Sequence, residues 1–273
     1  MAQTRPPRLL MFDSGLGGLT VLRAMRATVP EAAIVYVADD ARFPYSALSD
    51  DELPGRVCDV LAGPVAEFQP DVIVNACNTA STASLPALRA TFTQPVVGTV
   101  PAVKPAAQLS LSGLVSVLGT SATVRRDYTR TLIEEFGQGK AFNLVGSPRL
   151  AGLAEAAMSG SSVPDDAIRA ELDPCFVETD GRRTDVVVLA CTHYPLLLDR
   201  LERLAPWPVA WLDPAPAIAR RTANVLAGLG FAVGVGFARE PGRMIFTSGK
   251  APPALTPLLE SYGLALAKTA ECG

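Results

Sequence analysis

Cys191 and His193 stand two residues apart at the end of Thr184-Asp185-Val186-Val187-Val188-Leu189-Ala190-Cys191-Thr192-His193-Tyr194-Pro195. A thiolate is the reactive form of cysteine, and a neighbouring imidazole can take or return its proton. A second cysteine closes a matching segment, Asp71-Val72-Ile73-Val74-Asn75-Ala76-Cys77-Asn78-Thr79. Aligned on their aspartates, both segments read Asp-Val-x-Val-x-Ala-Cys, which implies two related halves that each deliver one cysteine to a strand end. Asn75, Asn78 and Thr79 surround one thiol with hydrogen-bonding groups, and Thr192 and His193 the other. Two such thiols acting on one carbon would remove a proton from one side and supply one on the other. That is what inversion of an amino acid at its α-carbon requires, and it needs no cofactor. A second chemistry is hydrolysis, with Cys191 as nucleophile and His193 as base. Residues two apart on a strand face the same way, so the spacing permits it. It leaves the Cys77 segment without a purpose. A third reading is a two-lobed binding protein of the periplasmic-receptor type, against which the lack of an export signal counts.

The elements that must position these residues follow from the pattern of apolar runs. A short valine-rich run closed by a polar turn reads as a buried parallel strand. In open parallel α/β sheets ligands lie beyond the carboxyl ends of the strands, where both cysteines fall. Residues 8–12 form a first strand, followed by the glycine-rich loop Asp13-Ser14-Gly15-Leu16-Gly17-Gly18 and a helix over 21–29. The loop matches neither Gly-x-Gly-x-x-Gly nor a Walker loop, so it speaks for a tight turn with a capping Asp13 or Ser14 rather than for a nucleotide. Residues 33–37 are a strand that opens into Ala38-Asp39-Asp40-Ala41-Arg42-Phe43-Pro44-Tyr45-Ser46, too elaborate for a plain connector. A helix is expected over 50–69, then the Cys77 strand, a helix ending before Gln94, and a strand over 95–100. Residues 114–118 open the second half. Gly119-Thr120-Ser121-Ala122-Thr123 there takes the position that Asp13-Ser14-Gly15 holds in the first, as an anion-binding loop or a helix cap. A strand over 141–145, a helix carrying Glu155, a helix over 165–179 and the Cys191 strand complete it. The chain then gives a helix over 196–204, a strand over 209–212, a helix over 220–229, a last strand over 243–247 and a terminal helix over 255–266.

Composition narrows the function classes. The chain has 273 residues, enough for one large α/β domain or two small ones. Apolar residues make up 49%, yet no apolar run approaches the roughly 18 residues of a membrane span. The basic start is followed by only residues 9–12 as an apolar stretch, too short for a signal peptide, so a cytoplasmic protein is expected. A net charge of −3 leaves no basic footprint for nucleic acid. Five cysteines without a Cys-x-x-Cys pair, and a single histidine, argue against a disulfide framework or a zinc site. Cys58, Cys175 and Cys272 read as small apolar or surface residues. None of the four lysines (104, 140, 250 and 268) lies in a motif suited to a pyridoxal Schiff base.

Phe12-Asp13-Ser14-Gly15-Leu16-Gly17-Gly18, Phe43-Pro44-Tyr45, Asn75-Ala76-Cys77-Asn78-Thr79-Ala80 and Cys191-Thr192-His193-Tyr194-Pro195-Leu196 together resemble the glutamate racemase family. The likeness extends nearly end to end, through Gly119-Thr120, Thr123-Val124 and Phe246-Thr247-Ser248-Gly249. It implies two pseudosymmetric α/β lobes, each a mostly parallel sheet flanked by helices, with the active site in the cleft between them. Residues 1–98 plus 213–273 would form the first lobe and 99–212 the second. It further implies interconversion of L- and D-glutamate without cofactor or metal, D-glutamate for peptidoglycan synthesis, and a homodimer with no nucleic-acid or membrane partner. Carried over by position, Cys77 and Cys191 are the acid/base pair, Asp13 assists Cys77, and His193 and Glu155 assist Cys191. Asp13, Ser14, Tyr45, Ser46, Asn78, Thr79, Thr120, Thr123, Thr192 and His193 would bind substrate. On its own pattern Glu155 reads as a residue of a solvated helix face. Ala38 and Ala190 stand where glycine is common, Asp40 where a small hydroxyl residue is, Ser46 for glycine and Ser147 for cysteine.

Overall fold

The structure is a computed structural model that describes residues 3–234 and 241–267. The chain divides into two compact units, the first built from residues up to Thr99 and from Ala215 onward, the second from Val100–Pro214. The first segment runs β1 (Arg8–Asp13), α1 (Leu19–Thr28), β2 (Ala33–Ala38), α2 (Glu52–Phe68), β3 (Val72–Asn75), α3 (Asn78–Thr91) and β4 (Val96–Gly98). In the second unit, α4 (Val103–Leu109), β5 (Leu114–Thr120), α5 (Ser121–Arg125), α6 (Asp127–Phe136), β6 (Ala141–Ser147), α7 (Leu150–Met158) and α8 (Asp165–Leu172) come first. They are followed by β7 (Glu178–Thr179), β8 (Arg182–Arg183), β9 (Val186–Ala190), α9 (Leu198–Leu204) and β10 (Ala210–Leu212). The chain then returns to the first unit as α10 (Ala215–Gly228), β11 (Gly242–Phe246), α11 (Thr256–Ser261) and β12 (Leu264–Leu266).

The first unit holds a six-stranded sheet in the order β12-β11-β2-β1-β3-β4, and the second a four-stranded sheet in the order β10-β9-β5-β6. Every pairing in these two sheets is parallel. Their strands are valine-, leucine- and isoleucine-rich because helices cover both faces: β3 and β9 are buried at every position. One core, around Leu10, Phe12, Val35, Val37 and Ile73, packs under α2 and α3. Another gathers Val115, Val117, Val186 and Val188 with Ala106 of α4.

The order β2-β1-β3-β4 in one unit repeats as β6-β5-β9-β10 in the other. In each, the cysteine strand lies beside the strand that ends in a hydroxyl-bearing loop. Phe12 pairs with Asn75, and Gly119 with Ala190. The mixed α/β architecture of two parallel-sheet halves therefore follows the expectation from the repeated segment.

Two stretches differ from the sequence reading. The helix expected over 165–179 stops at Leu172, passes through a 3-10 turn at Asp173–Cys175 and ends in a short antiparallel hairpin of β7 and β8. Pro174 cannot supply the amide hydrogen bond a continuing helix needs, and Asp180 and Gly181, both at positive φ, make the hairpin turn. The terminal helix expected over 255–266 is only α11. Gly263, at φ +68°, ends it, and Leu264–Leu266 becomes an edge strand parallel to β11. Cys272 and Lys268 lie outside the described residues.

Candidate active site

In the first unit, Cys77 stands just past β3 with extended backbone and caps α3: its Sγ accepts the amide N–H of Ala80 at 3.4 Å. A thiolate here lies at a helix N-terminus, where unpaired N–H groups and the aligned peptide dipoles favour negative charge. The Ser14 hydroxyl meets the same sulfur at 3.6 Å. Asp13, fully buried at the end of β1, fixes the loop by accepting the Gly15 N–H on Oδ1 at 2.9 Å. Gly18 explains why this loop needs glycine. A Cβ there would come within 2.6 Å of the Tyr36 hydroxyl and 2.9 Å of the Asp13 Cβ. That same Tyr36 hydroxyl donates to the Gly15 carbonyl at 2.9 Å, so the loop is bound to the sheet from below.

Asn78 and Thr79 open α3 and are both buried. Asn78 is 1% exposed, and neither its Oδ1 nor its Nδ2 has a hydrogen-bond partner among the described residues. A buried amide with four unused bonding positions carries a desolvation cost that a polar ligand would relieve.

In the second unit three side chains form a chain. Cys191 Sγ lies 3.7 Å from His193 Nδ1, and His193 Nε2 lies 2.8 Å from Glu155 Oε1. The Glu155 carboxylate can only accept, so in the neutral imidazole the proton belongs on Nε2 and the Nδ1 lone pair faces the thiol. Passage of the thiol proton to Nδ1 then gives a thiolate beside an imidazolium held by Glu155. Glu155 is brought to His193 from α7, 38 residues away in sequence. Thr120 caps α5: its Oγ1 accepts the Thr123 N–H at 3.2 Å and lies 3.0 Å from Thr123 Oγ1. Thr192 is buried between Cys191 and His193.

Tyr45 turns inward. Its side chain is buried, and its hydroxyl donates to Asp39 Oδ2 at 2.5 Å, while Ser46 follows it half-buried in the same turn. Asp39 also accepts both Nε and Nη2 of Arg56 and, at 2.6 Å, the Thr247 hydroxyl. Burial pushes the Asp39 carboxyl up, but the hydrogen bonds from Arg56, Thr247 and Tyr45 outweigh it and hold the group below its ordinary value. Burial, then the hydrogen bond to Asp39 and its charge, push the Tyr45 phenol well above its ordinary value, so it stays a donor. Asp40 accepts the Ser248 N–H at 2.9 Å and ties the same loop to the end of β11.

The sequence reading did not assign Asp39, Arg56 or Thr247 to the site. The signals are two aspartates in an overlong loop and Thr247 within Phe246-Thr247-Ser248-Gly249; their joining is not written locally, since the partners of Asp39 come from α2 and from 208 residues downstream. Of the other cysteines, Cys58 is half-buried near Thr91 Oγ1, and Cys175 is fully buried with its thiol pushed up to about 12 by burial. All four described cysteines are free. No cluster of three or more metal-binding side chains occurs among the described residues, and no helix there is long and apolar enough to cross a membrane.

The family profile described as Asp/Glu/Hydantoin racemase matches residues 19–222. The chain is 52% identical over 259 residues to the glutamate racemase of Mesorhizobium japonicum, a match covering 94% of this chain and 98% of that protein. The chain belongs to the Asp/Glu/hydantoin racemase family. Membership makes it an isomerase, and other relatives agree. Identity to the glutamate racemase of Sinorhizobium medicae is 49%, with both chains covered in full. Among solved structures, Escherichia coli glutamate racemase in complex with L-glutamate and the activator UDP-MurNAc-Ala superposes with a TM-score of 0.85 at 37% identity. That match covers 95% of this chain and 96% of the other. Two α/β units built from parallel sheets are thus the fold of the family as well as of this chain.

Proposed function

We propose that this racemase interconverts L- and D-glutamate by a two-thiol transfer of the α-proton, with no cofactor. The observation that carries the reading is the pair of equivalent cysteines. Each follows a buried parallel strand, and each has a polar partner in its own unit: Ser14 for Cys77, and His193 with Glu155 for Cys191. One thiolate takes the α-hydrogen, the electron pair stays on the α-carbon next to the carboxylate, and the other cysteine's S–H supplies a proton to the opposite face. The first cysteine ends as thiol and the second as thiolate, so the reverse reaction starts from the exchanged state. Cys77 and Cys191 are the acid/base residues in this scheme. Asp13 supports the Cys77 loop, and His193 and Glu155 support Cys191.

The substrate's carboxylates and ammonium are assigned to Ser14, Asn78, Thr79, Thr120, Thr123 and Thr192, with Tyr45 and Ser46 on the loop that Asp39 anchors. Glutamate as the substrate is supported by the relatives at about half identity that carry that name. We propose further that the product supplies peptidoglycan synthesis, and that the enzyme works in the cytoplasm as a homodimer. The Cys191–His193–Glu155 chain by itself would also suit a cysteine hydrolase. The deciding experiment is replacement of Cys77 by alanine, followed by chiral chromatography with L-glutamate. Racemisation should vanish. Activity near that of the unaltered protein would refute the two-thiol scheme and leave Cys191 acting alone.

A further inference from the structure

Behind the Cys191 half lies a second carboxylate that the reaction scheme does not use. Glu171, near the end of α8, is 8% exposed, and its Oε2 accepts the Ser147 hydroxyl at 2.6 Å. Its Oε1 accepts Arg149 Nε at 2.7 Å. Burial alone would push this carboxyl up, yet Ser147 and Arg149 hold it below its ordinary range, so it is charged. Ser147 passes the anchorage on: its Oγ accepts the N–H of Leu150, the first residue of α7, at 3.0 Å. The next bond, Leu153 N–H to the Arg149 carbonyl at 2.9 Å, closes the first turn of that helix. Glu155 sits five residues beyond Leu150, about 7.5 Å along the axis, too close to the anchored end for bending to absorb a shift.

We infer that Glu171 is a positioning residue for the Cys191 half of the reaction: it pins Ser147 and Arg149, and through them the start of α7, so that Glu155 reaches His193. The inference rests on the reading of Cys191, His193 and Glu155 as one half of a racemising site. The Arg149 side of the anchor contributes little, because that side chain is 57% exposed. The Ser147 side is buried from solvent, with Ser147 4% exposed, and water cannot replace its hydrogen bond there. The tolerance at the far end is small. Glu155 Oε1 and His193 Nε2 are 2.8 Å apart, so a 1 Å displacement of α7 removes that bond. His193 then loses the group that fixes its tautomer toward Cys191.

The test is a double-mutant cycle on the full-length protein with Glu171→Gln, Glu155→Gln and the two combined. Racemisation is followed from both enantiomers, and iodoacetamide alkylation of Cys191 and Cys77 is read by mass spectrometry. Glu171→Gln should lower kcat by roughly tenfold and leave KM within about twofold, because the shift acts on proton transfer at Cys191 more than on the groups assigned to hold the substrate. The doubly altered protein should be no slower than Glu155→Gln alone. Alkylation of Cys191 should change in rate while that of Cys77, in the other unit, does not. Independent, multiplying losses in the double variant, or equal changes at both cysteines, would overturn the inference and leave the functional reading standing. Full kcat in Glu155→Gln would remove Glu155 from the reaction and this inference with it. Should Glu171→Gln fold poorly, Ser147→Ala cuts the same path at its middle. It must give the same kcat loss and the same selectivity for Cys191, or the inference falls.

Discussion

Replacement of Arg56 by methionine is the sharpest probe of how the loop of the first unit is held. Methionine keeps much of the length and the helix preference of arginine in α2, but removes both guanidinium bonds to Asp39. Asp39 is fully buried, and among the described residues the Tyr45 and Thr247 hydroxyls remain to hold its charge. Stripping one partner from a buried ion pair costs about 3–5 kcal/mol. Arg56 itself is 34% exposed and water enters in its place, which reduces the figure to roughly 2–3 kcal/mol. At about 2–4 °C per kcal/mol for a unit of this size, Tm should fall by roughly 4–12 °C at pH 7. The pH dependence gives the origin. In the unaltered protein the Asp39 carboxyl is held below its ordinary value. Its contribution is therefore complete above an unfolded pKa of about 4, and is lost as pH falls through the lower folded value. Without Arg56 burial dominates, the carboxyl takes up a proton at higher pH, and neutralisation relieves the uncompensated charge. The gap between variant and parent should narrow between about pH 7 and about pH 4.5. Calorimetry across that range measures it, and the Asp39→Asn/Arg56→Met double variant should be less destabilised than the two single losses summed. A loss below about 0.5 kcal/mol at pH 7, or a gap that does not shrink on acidification, would refute the argument.

Racemisation started from L-glutamate in deuterated water should give D-glutamate carrying deuterium at the α-carbon while the remaining L-glutamate stays mostly protiated. Proton NMR reads both, and largely protiated product would point to a single base. Activity should survive chelators and carbonyl reagents and disappear on thiol alkylation, and recovery by pyridoxal phosphate after dialysis would end the cofactor-free reading. Cys191→Ala should abolish racemisation, whereas alanine at Cys58, Cys175 and Cys272 should leave it measurable by chiral chromatography. At the fully buried Cys175 the change should cost stability, about 1 kcal/mol by thermal denaturation. Gly18→Ala should destabilise by roughly 1–3 kcal/mol and impair turnover, because its Cβ lands on Tyr36 and Asp13. An unchanged Tm and rate there would mean that the loop gives way freely.

The features written in short range were legible in the sequence alone. Three or four consecutive β-branched and leucine residues cannot face water on either side, so the runs before Cys77 and Cys191 had to be buried parallel strands. Their shared Asp-Val-x-Val-x-Ala-Cys pattern carried the two-half architecture, with one cysteine just past an equivalent strand in each half. His193 was legible for the same reason, two residues from Cys191 and governed by the same turn.

Tertiary structure decided what depends on which helix face packs where. Glu155 reads as a surface residue because helical periodicity does not reveal that α7 lies against the turn after β9, where its carboxylate meets His193. Asp39 reads as half of a polar turn until α2 delivers Arg56 and the end of β11 delivers Thr247. Glu171 gains its partners only when β6 ends beside α8. The errors over 173–183 and 263–266 have the same root. There Pro174, Asp180-Gly181 and Gly263 break the helix locally, and the strand conformation that follows is stabilised by a neighbouring strand rather than by the segment's own periodicity. A hydrogen bond between residues 38 or 208 positions apart is a property of packing, and a single sequence carries no period that encodes it.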